Sequence, residues 1–168
     1  GIIPGAISSY YSIYGLNSNH AGTYYCEVNN SCGTASTNNI VLTINSSPTI
    51  SSQSSNSIIC QNASLSINVT ASGSSPLTYQ WYKSGNAISN ETAASYSIAN
   101  AALSDAANYY CIVTNSCGTI QSQAINIDVN QAPSISTQST GADKCLGESF
   151  SFTLSASGSS PLSYQWYN

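Results

Sequence analysis

Charge is what this sequence has least of. Of its 168 residues only Lys83, Lys144 and six carboxylates ionise near neutrality, 5% of the chain, and arginine is absent. Globular domains average about 25% charged residues, so long-range electrostatics has little to act through. Two lysines and a net charge of -4 cannot neutralise a run of phosphates, which excludes nucleic acid as a partner. Methionine is missing and histidine occurs once. No run approaches the roughly 18 apolar residues of a membrane-crossing helix, and no basic amphipathic stretch could lie on an anionic bilayer, so no membrane contact is expected within this segment.

What is present can still build a core. Hydrophobic residues make up 41% of the chain, with twelve tyrosines and two tryptophans, too many for a disordered segment. Ser, Thr and Asn supply roughly four residues in ten and take over the polar role of Lys, Glu and Arg. Six cysteines without a methionine fit an oxidising compartment, hence an extracellular or cell-surface location.

An internal repeat organises the chain. Trp81 recurs at Trp166, Cys60 at Cys145, Cys26 at Cys111, Cys32 at Cys117 and Pro48 at Pro133, always 85 residues apart and without a gap. Residues 1–83 and 86–168 share 35 identities in 83 pairs. On this period residues 48–132 are a complete repeat, 1–47 the C-terminal half of another, and 133–168 the N-terminal half of a third. The expectation is a window on a tandem array, with the half-repeats completed either by the same chain or by a second subunit. Junctions are short, Asn45-Ser46-Ser47-Pro48 and Asn130-Gln131-Ala132-Pro133, which leaves little room for independent tumbling and predicts a stiff rod.

Within the repeat the periodicity is that of strands. Leu65, Ile67, Val69 and Ala71 alternate with small polar residues, as do Leu77, Tyr79 and Trp81, then Tyr109, Cys111 and Val113, and last Ile125, Ile127 and Val129. Turns fall at Gly73-Ser74-Ser75-Pro76 and Asn115 to Gly118. Short strands at this spacing in an 85-residue unit predict an all-β chain of tandem β-sandwiches.

The run Tyr79-Gln80-Trp81-Tyr82-Lys83 followed by Asp105-Ala106-Ala107-Asn108-Tyr109-Tyr110-Cys111 resembles an immunoglobulin-like domain. The resemblance implies core roles for Trp81 and Trp166 on the third strand and a tyrosine corner at Tyr109 and Tyr24. Cys111-Ile-Val-Thr-Asn-Ser-Cys117-Gly-Thr, with Cys60 ahead of the second strand, resembles the immunoglobulin-like repeats of large bacterial surface proteins and adhesins of the Bacteroidota type. In the aligned second strand Val69 occupies the core position of the usual inter-sheet cysteine, so the antibody-type disulfide cannot form. Each repeat then carries three cysteines, Cys60, Cys111 and Cys117 in the complete one, with Cys26, Cys32 and Cys145 in the halves. Cys60 and Cys117 are expected at opposite ends of the sandwich, and Cys111 is expected to pair with one of them. The remaining cysteine is either a buried thiol or a staple to the neighbouring repeat.

Nothing points to catalysis. His20 fills the slot that Asp105 fills in the next copy, which suits a turn residue and not a base. No Gly-x-Ser-x-Gly elbow, metal-ligand spacing or calcium loop occurs, so no enzyme, cofactor or metal site is expected. Gln80, Tyr82 and Tyr110 could form an outward patch for a glycan or a protein, or merely cover the sheet. Two functions follow. One is a structural unit of an extracellular stalk or surface filament, whose partners are neighbouring repeats. The other is an adhesive module that binds a glycan or protein through loops or the aromatic face.

Overall fold

The computed structural model describes all 168 residues. Its strands are β1 (Gly22–Tyr24), β2 (Glu27–Asn30), β3 (Gly33–Ser36) and β4 (Ile40–Leu42), then β5 (Thr49–Gln53), β6 (Ser57–Cys60), β7 (Leu65–Ser72), β8 (Thr78–Lys83) and β9 (Asn86–Ala87). After these come β10 (Ser95–Ile98), β11 (Ala107–Asn115), β12 (Gly118–Gln121), β13 (Ile125–Asn130), β14 (Ser134–Gln138) and β15 (Leu154–Ser157). The only helical pieces are single 3-10 turns at Ser18–His20 and Leu103–Asp105. The chain is all-β, as the alternation predicts.

Two sheets face each other in the middle of the chain. One has the order β10-β7-β5; the other has β6-β13-β11-β8-β9, with β12 also on β11. The first strand changes sheets: β5 pairs antiparallel with β7, whereas β6 pairs parallel with β13. Gln53 marks the switch. Its Nε2 donates to the Gln123 carbonyl and its Oε1 accepts from the Gln123 N–H, filling the break between β12 and β13. On the other side of that break the Cys111 N–H donates to Ser122 Oγ and the Ser122 N–H to the Cys111 carbonyl. Backbone groups freed by the break are thus satisfied by side chains, as buried polar groups must be.

The core follows the period of two. On β7, Leu65, Ile67 and Val69 point inward while Ser66, Asn68 and Thr70 face solvent. They meet Trp81, then Tyr109, Cys111 and Val113 of β11, then Ile125, Ile127 and Val129 of β13. The Trp81 indole N–H donates to the Ala93 carbonyl at 3.0 Å. No buried side-chain nitrogen or oxygen lacks a partner.

The flanking segments form only small sheets, β1-β4, β2-β3 and β14-β15. Trp166 and Tyr24, expected as core residues of complete repeats, lie in these partial units. Trp166 is 54% exposed and Tyr24 only half-buried, because each segment carries only some of the strands of a sandwich: residues 133–168 lack counterparts of β10, β11 and β13, and residues 1–47 lack counterparts of β7 and β8.

Candidate functional site

The turn before β11 carries the densest polar chemistry. The Tyr109 hydroxyl donates to the Asp105 carbonyl at 2.9 Å, and the Tyr24 hydroxyl to the His20 carbonyl at 2.7 Å. Each ties the start of its strand to the preceding turn, the tyrosine-corner geometry. His20 and Asp105 also do the same local job by different chemistry. His20 Nδ1 accepts from the Asn17 N–H, and Asp105 Oδ2 accepts from the Ala102 N–H, both at 3.0 Å and both three residues back. Either side chain closes the 3-10 turn, which accounts for their exchange between the two positions.

Asp105 has a second partner that the sequence did not reveal. Lys83 Nζ on β8 lies 2.7 Å from Asp105 Oδ1, with both side chains mostly covered. Burial alone would lower the Lys83 pKa, but the hydrogen bond to Asp105 and the nearby Tyr109 hold it above its ordinary value. The same hydrogen bond, helped by the Ala102 N–H, holds Asp105 below the usual carboxylate range. Burial pushes Tyr109 and Tyr96 upward, so both stay neutral, Tyr109 as the donor to Asp105. No sequence spacing announces the ion pair, because Lys83 and Asp105 meet only through the β8-β11 pairing.

No disulfide joins any of the six cysteines in this structure. The pairing of Cys111 with Cys60 or Cys117, expected from the cysteine count, is not formed here and stays a proposal. Cys111 points into the core from the middle of β11, opposite Trp81 in register. Cys60 ends β6 and Cys117 lies in the turn after β11, and neither end of the sheet brings an Sγ inward. Burial raises the Cys111 pKa and keeps it a protonated, unreactive thiol. The other five are exposed.

The three residues of the aromatic patch are brought together, though not as an open surface. Tyr82 and Tyr110 stack at 4.9 Å with ring planes 4° apart, directly opposite in the β8-β11 register. Each covers one face of the other. Gln80 Nε2 is engaged by the Trp81 and Ile88 carbonyls, so its amide holds the β8-β9 edge.

At both junctions the chain is clamped. The Ser46 N–H donates to Ser74 Oγ and the Ser74 N–H to the Ser46 carbonyl. Asn115 Nδ2 donates to the carbonyls of Ser46 and Ser74 at 2.8 and 2.9 Å, and Ser47 Oγ to the Cys117 carbonyl. Gly73 permits this closeness: with φ at +145° it holds a conformation rare for L residues, and a Cβ there would lie 3.0 Å from Pro48 Cα and the Ser47 carbonyl. The second junction repeats the reciprocal bonds, Gln131 N–H to Ser159 Oγ and Ser159 N–H to the Gln131 carbonyl, with Gly158 against Pro133. The sequence hinted at this only through the short linkers.

No group of three or more His, Cys, Asp or Glu side chains stands close enough to share a metal ion. No helix is long and apolar enough to cross a membrane.

Comparison with known proteins agrees with this geometry. Residues 47–115 match the family model described as immunoglobulin domain. The chain is 30% identical over 167 residues to the mouse cell adhesion molecule DSCAML1, covering 92% of this chain and 8% of that protein. It is 26% identical over 167 residues to human Fc receptor-like protein 5, covering 92% of this chain and 17% of the relative. The chain thus spans a small fraction of the length of the curated relatives it matches. Among solved structures, the titin I-band fragment I67-I69 superposes with a TM-score of 0.64 at 22% identity, covering 70% of this chain and 44% of that one. The four N-terminal Ig domains of Dscam1 isoform 6.9 give a TM-score of 0.54 at 22% identity, covering 68% and 28%. The chain has the all-β immunoglobulin-like fold, and its residues 47–115 are an immunoglobulin-like domain with multi-domain immunoglobulin proteins as neighbours.

Proposed function

We propose that this chain is a non-catalytic structural segment of an extracellular stalk or surface filament, built from repeats of 85 residues with 48–132 as the complete unit. The clamped junction carries this reading. Ser46 and Ser47 are held by Ser74, Asn115 and Cys117 of the following unit, and a short linker fixed to the unit it enters leaves the preceding one little freedom to swing. The function is to extend reach. Small-angle scattering of the chain and of its Asn115→Ala variant tests it: a rod for the parent and a more flexible profile for the variant are expected. A parent whose units swing freely would overturn it.

An adhesive role is the second reading, favoured by the likeness to the mouse cell adhesion molecule. On that reading the Tyr82-Tyr110 stack or the turns meet a glycan or a protein. Loss of cell binding in the Tyr82→Ser, Tyr110→Ser double variant would select it, and unchanged binding would remove the patch. A bacterial surface origin is supported by the residue resemblance around Cys60, Cys111 and Cys117 alone, the relatives named above being from human and mouse.

The exposed cysteines fit a staple between units. Cys60 lies opposite Asn130, beside the outgoing linker, and the Cys117 carbonyl takes the Ser47 hydroxyl, beside the incoming one. A disulfide from the Cys60 position of one repeat to the Cys117 position of the next would release two protons and pass two electrons to a disulfide oxidant, itself reduced to two thiols. Peptide mapping with and without reduction tests this, and Cys60 and Cys117 recovered as thiols from the native protein would exclude it.

A further inference from the structure

The motif Asn-x-Ser/Thr, the acceptor for N-linked sugar, occurs at Asn29, Asn45, Asn62, Asn68 and Asn90. In a chain this rich in Asn, Ser and Thr, composition alone supplies about as many, so the motif by itself marks no site. Two of them are engaged by hydrogen bonds. Asn29 Oδ1 accepts from the Thr34 hydroxyl, and the hydroxyl that completes the Asn45 motif, Ser47 Oγ, donates to the Cys117 carbonyl in the junction clamp. Two more have a conformational reason to be asparagine. Asn62 and Asn90 occupy turns at φ of 68° and 65°, where their counterparts 85 residues away are Gly147 and Gly5 at 90° and 79°. Asparagine is the residue that most readily replaces glycine in that conformation.

Asn68 has neither explanation. It lies within β7, paired on both sides, where asparagine is disfavoured and its counterpart is Thr153. The side chains of Asn68 and Thr70 leave the same face of the strand, roughly 7 Å apart, and both are exposed. Their hydrogen bonds are made by the backbone: the Asn68 N–H donates to Ser54 Oγ, and the Thr70 carbonyl accepts from Ser51 Oγ. The amide nitrogen and the hydroxyl of the motif are both free.

The surface around them is low. Ser66 precedes Asn68 on the outer face of β7, Ser95 stands opposite Asn68 on β10, Ser97 stands opposite Ser66, and Ser52 stands opposite Thr70 on β5. Each of these neighbours is small and uncharged, and Asn68 is the longest side chain among them. A sugar attached there meets no wall, and the serine hydroxyls can donate to its oxygens and accept from its own hydroxyls.

We propose that Asn68 carries an N-linked oligosaccharide that lies over the β10-β7-β5 face. Asn68 Nδ2 bonds to the anomeric carbon of the first sugar and gives up one proton. The bond from that carbon to the phosphate oxygen of a lipid-diphosphate-linked donor breaks, and the lipid diphosphate leaves with the electron pair. The Thr70 hydroxyl completes the acceptor. Because β7 is paired on both sides, transfer precedes that pairing, and the fold accepts the product because the amide stays outside. The inference rests on the extracellular reading under the proposed function, which gives access to the donor, and not on the rod. On a chain with 5% charged residues the sugar supplies hydration that charge supplies elsewhere.

Peptide mapping by fragmentation mass spectrometry tests this on the protein collected from the cells that make it, as parent and as the Thr70→Val and Asn68→Gln variants. Both variants alter outward side chains, and an unchanged circular dichroism spectrum reports that each folds. The parent peptide containing Asn68 is expected to be heavier by the mass of several sugar residues, located on Asn68, and both variants are expected to lack that mass. A secreted parent with Asn68 unmodified would overturn the proposal. So would a Thr70→Val variant that keeps the sugar, or sugar found on Ser66, Ser95 or Ser97 in place of Asn68 and released by mild alkali, which is O-linked. A parent found unmodified and only inside the cell defeats the extracellular reading first and this inference with it.

Discussion

Asp105 binds three groups at once: Lys83 at Oδ1, the Ala102 N–H at Oδ2 and the Tyr109 hydroxyl at its carbonyl. The signs of the pH dependence follow. Because the Asp105 pKa is lowered on folding, its contribution is present above the ordinary carboxylate value and is lost as pH falls through the folded one. Because those of Lys83, Tyr109, Tyr96 and Cys111 are raised, theirs are present at neutral pH and are lost as pH climbs through their folded values. The melting temperature is therefore expected to be flat between about pH 5 and pH 8 and to fall on both sides. Asp105→Asn should shrink the acid limb, and a scan in which the variant and parent acid limbs coincide would refute the pairing. Tyr109→Phe removes the bond to the turn and should cost about 1 kcal/mol in chemical denaturation. In the reduced native chain, iodoacetamide is expected to label every cysteine except Cys111, which should react only on unfolding. Trp81, Tyr109 and Val69 were readable as core from alternation and the Trp-Tyr-Cys motif. The bond between Lys83 and Asp105 was not, since its partners are 22 residues apart and meet across two strands.

Elements were legible where alternation was strict and invisible where pairing alone defines them. Strands β7, β8, β11 and β13 carry inward apolar residues at every second position, and their faces fell where the period of two put them. The change of sheet between β5 and β6 left no such mark, because Thr49–Gln53 and Ser57–Cys60 are short edge strands whose partners lie far along the chain. Cysteine surroundings are just as illegible along the chain: Cys111 is buried in the middle of its strand, whereas Cys60 and Cys117 are exposed at strand ends. The junction is the element with most consequence. Gly73→Ala adds a Cβ against Pro48 and Ser47 at a positive φ, and should destabilise the middle unit by at least 1 kcal/mol. Urea unfolding followed by Trp81 and Trp166 fluorescence measures it, and an unchanged midpoint would show that the linker is not packed there.

For the whole molecule the shortage of charge sets the response to solvent. With Lys83-Asp105 as its one side-chain ion pair, the chain is expected to keep its melting midpoint within a few degrees from low to physiological salt. A large salt dependence by differential scanning calorimetry would contradict this. Charge count, strand period, core faces and the 85-residue spacing are properties of order along the chain, so they could be read before any fold was known. Which cysteine is shut in and which carboxylate meets a lysine depend on strands that are distant in sequence and adjacent in space. Those were fixed when β8 laid itself along β11, because hydrogen-bonded register, and not composition, decides what stands opposite what.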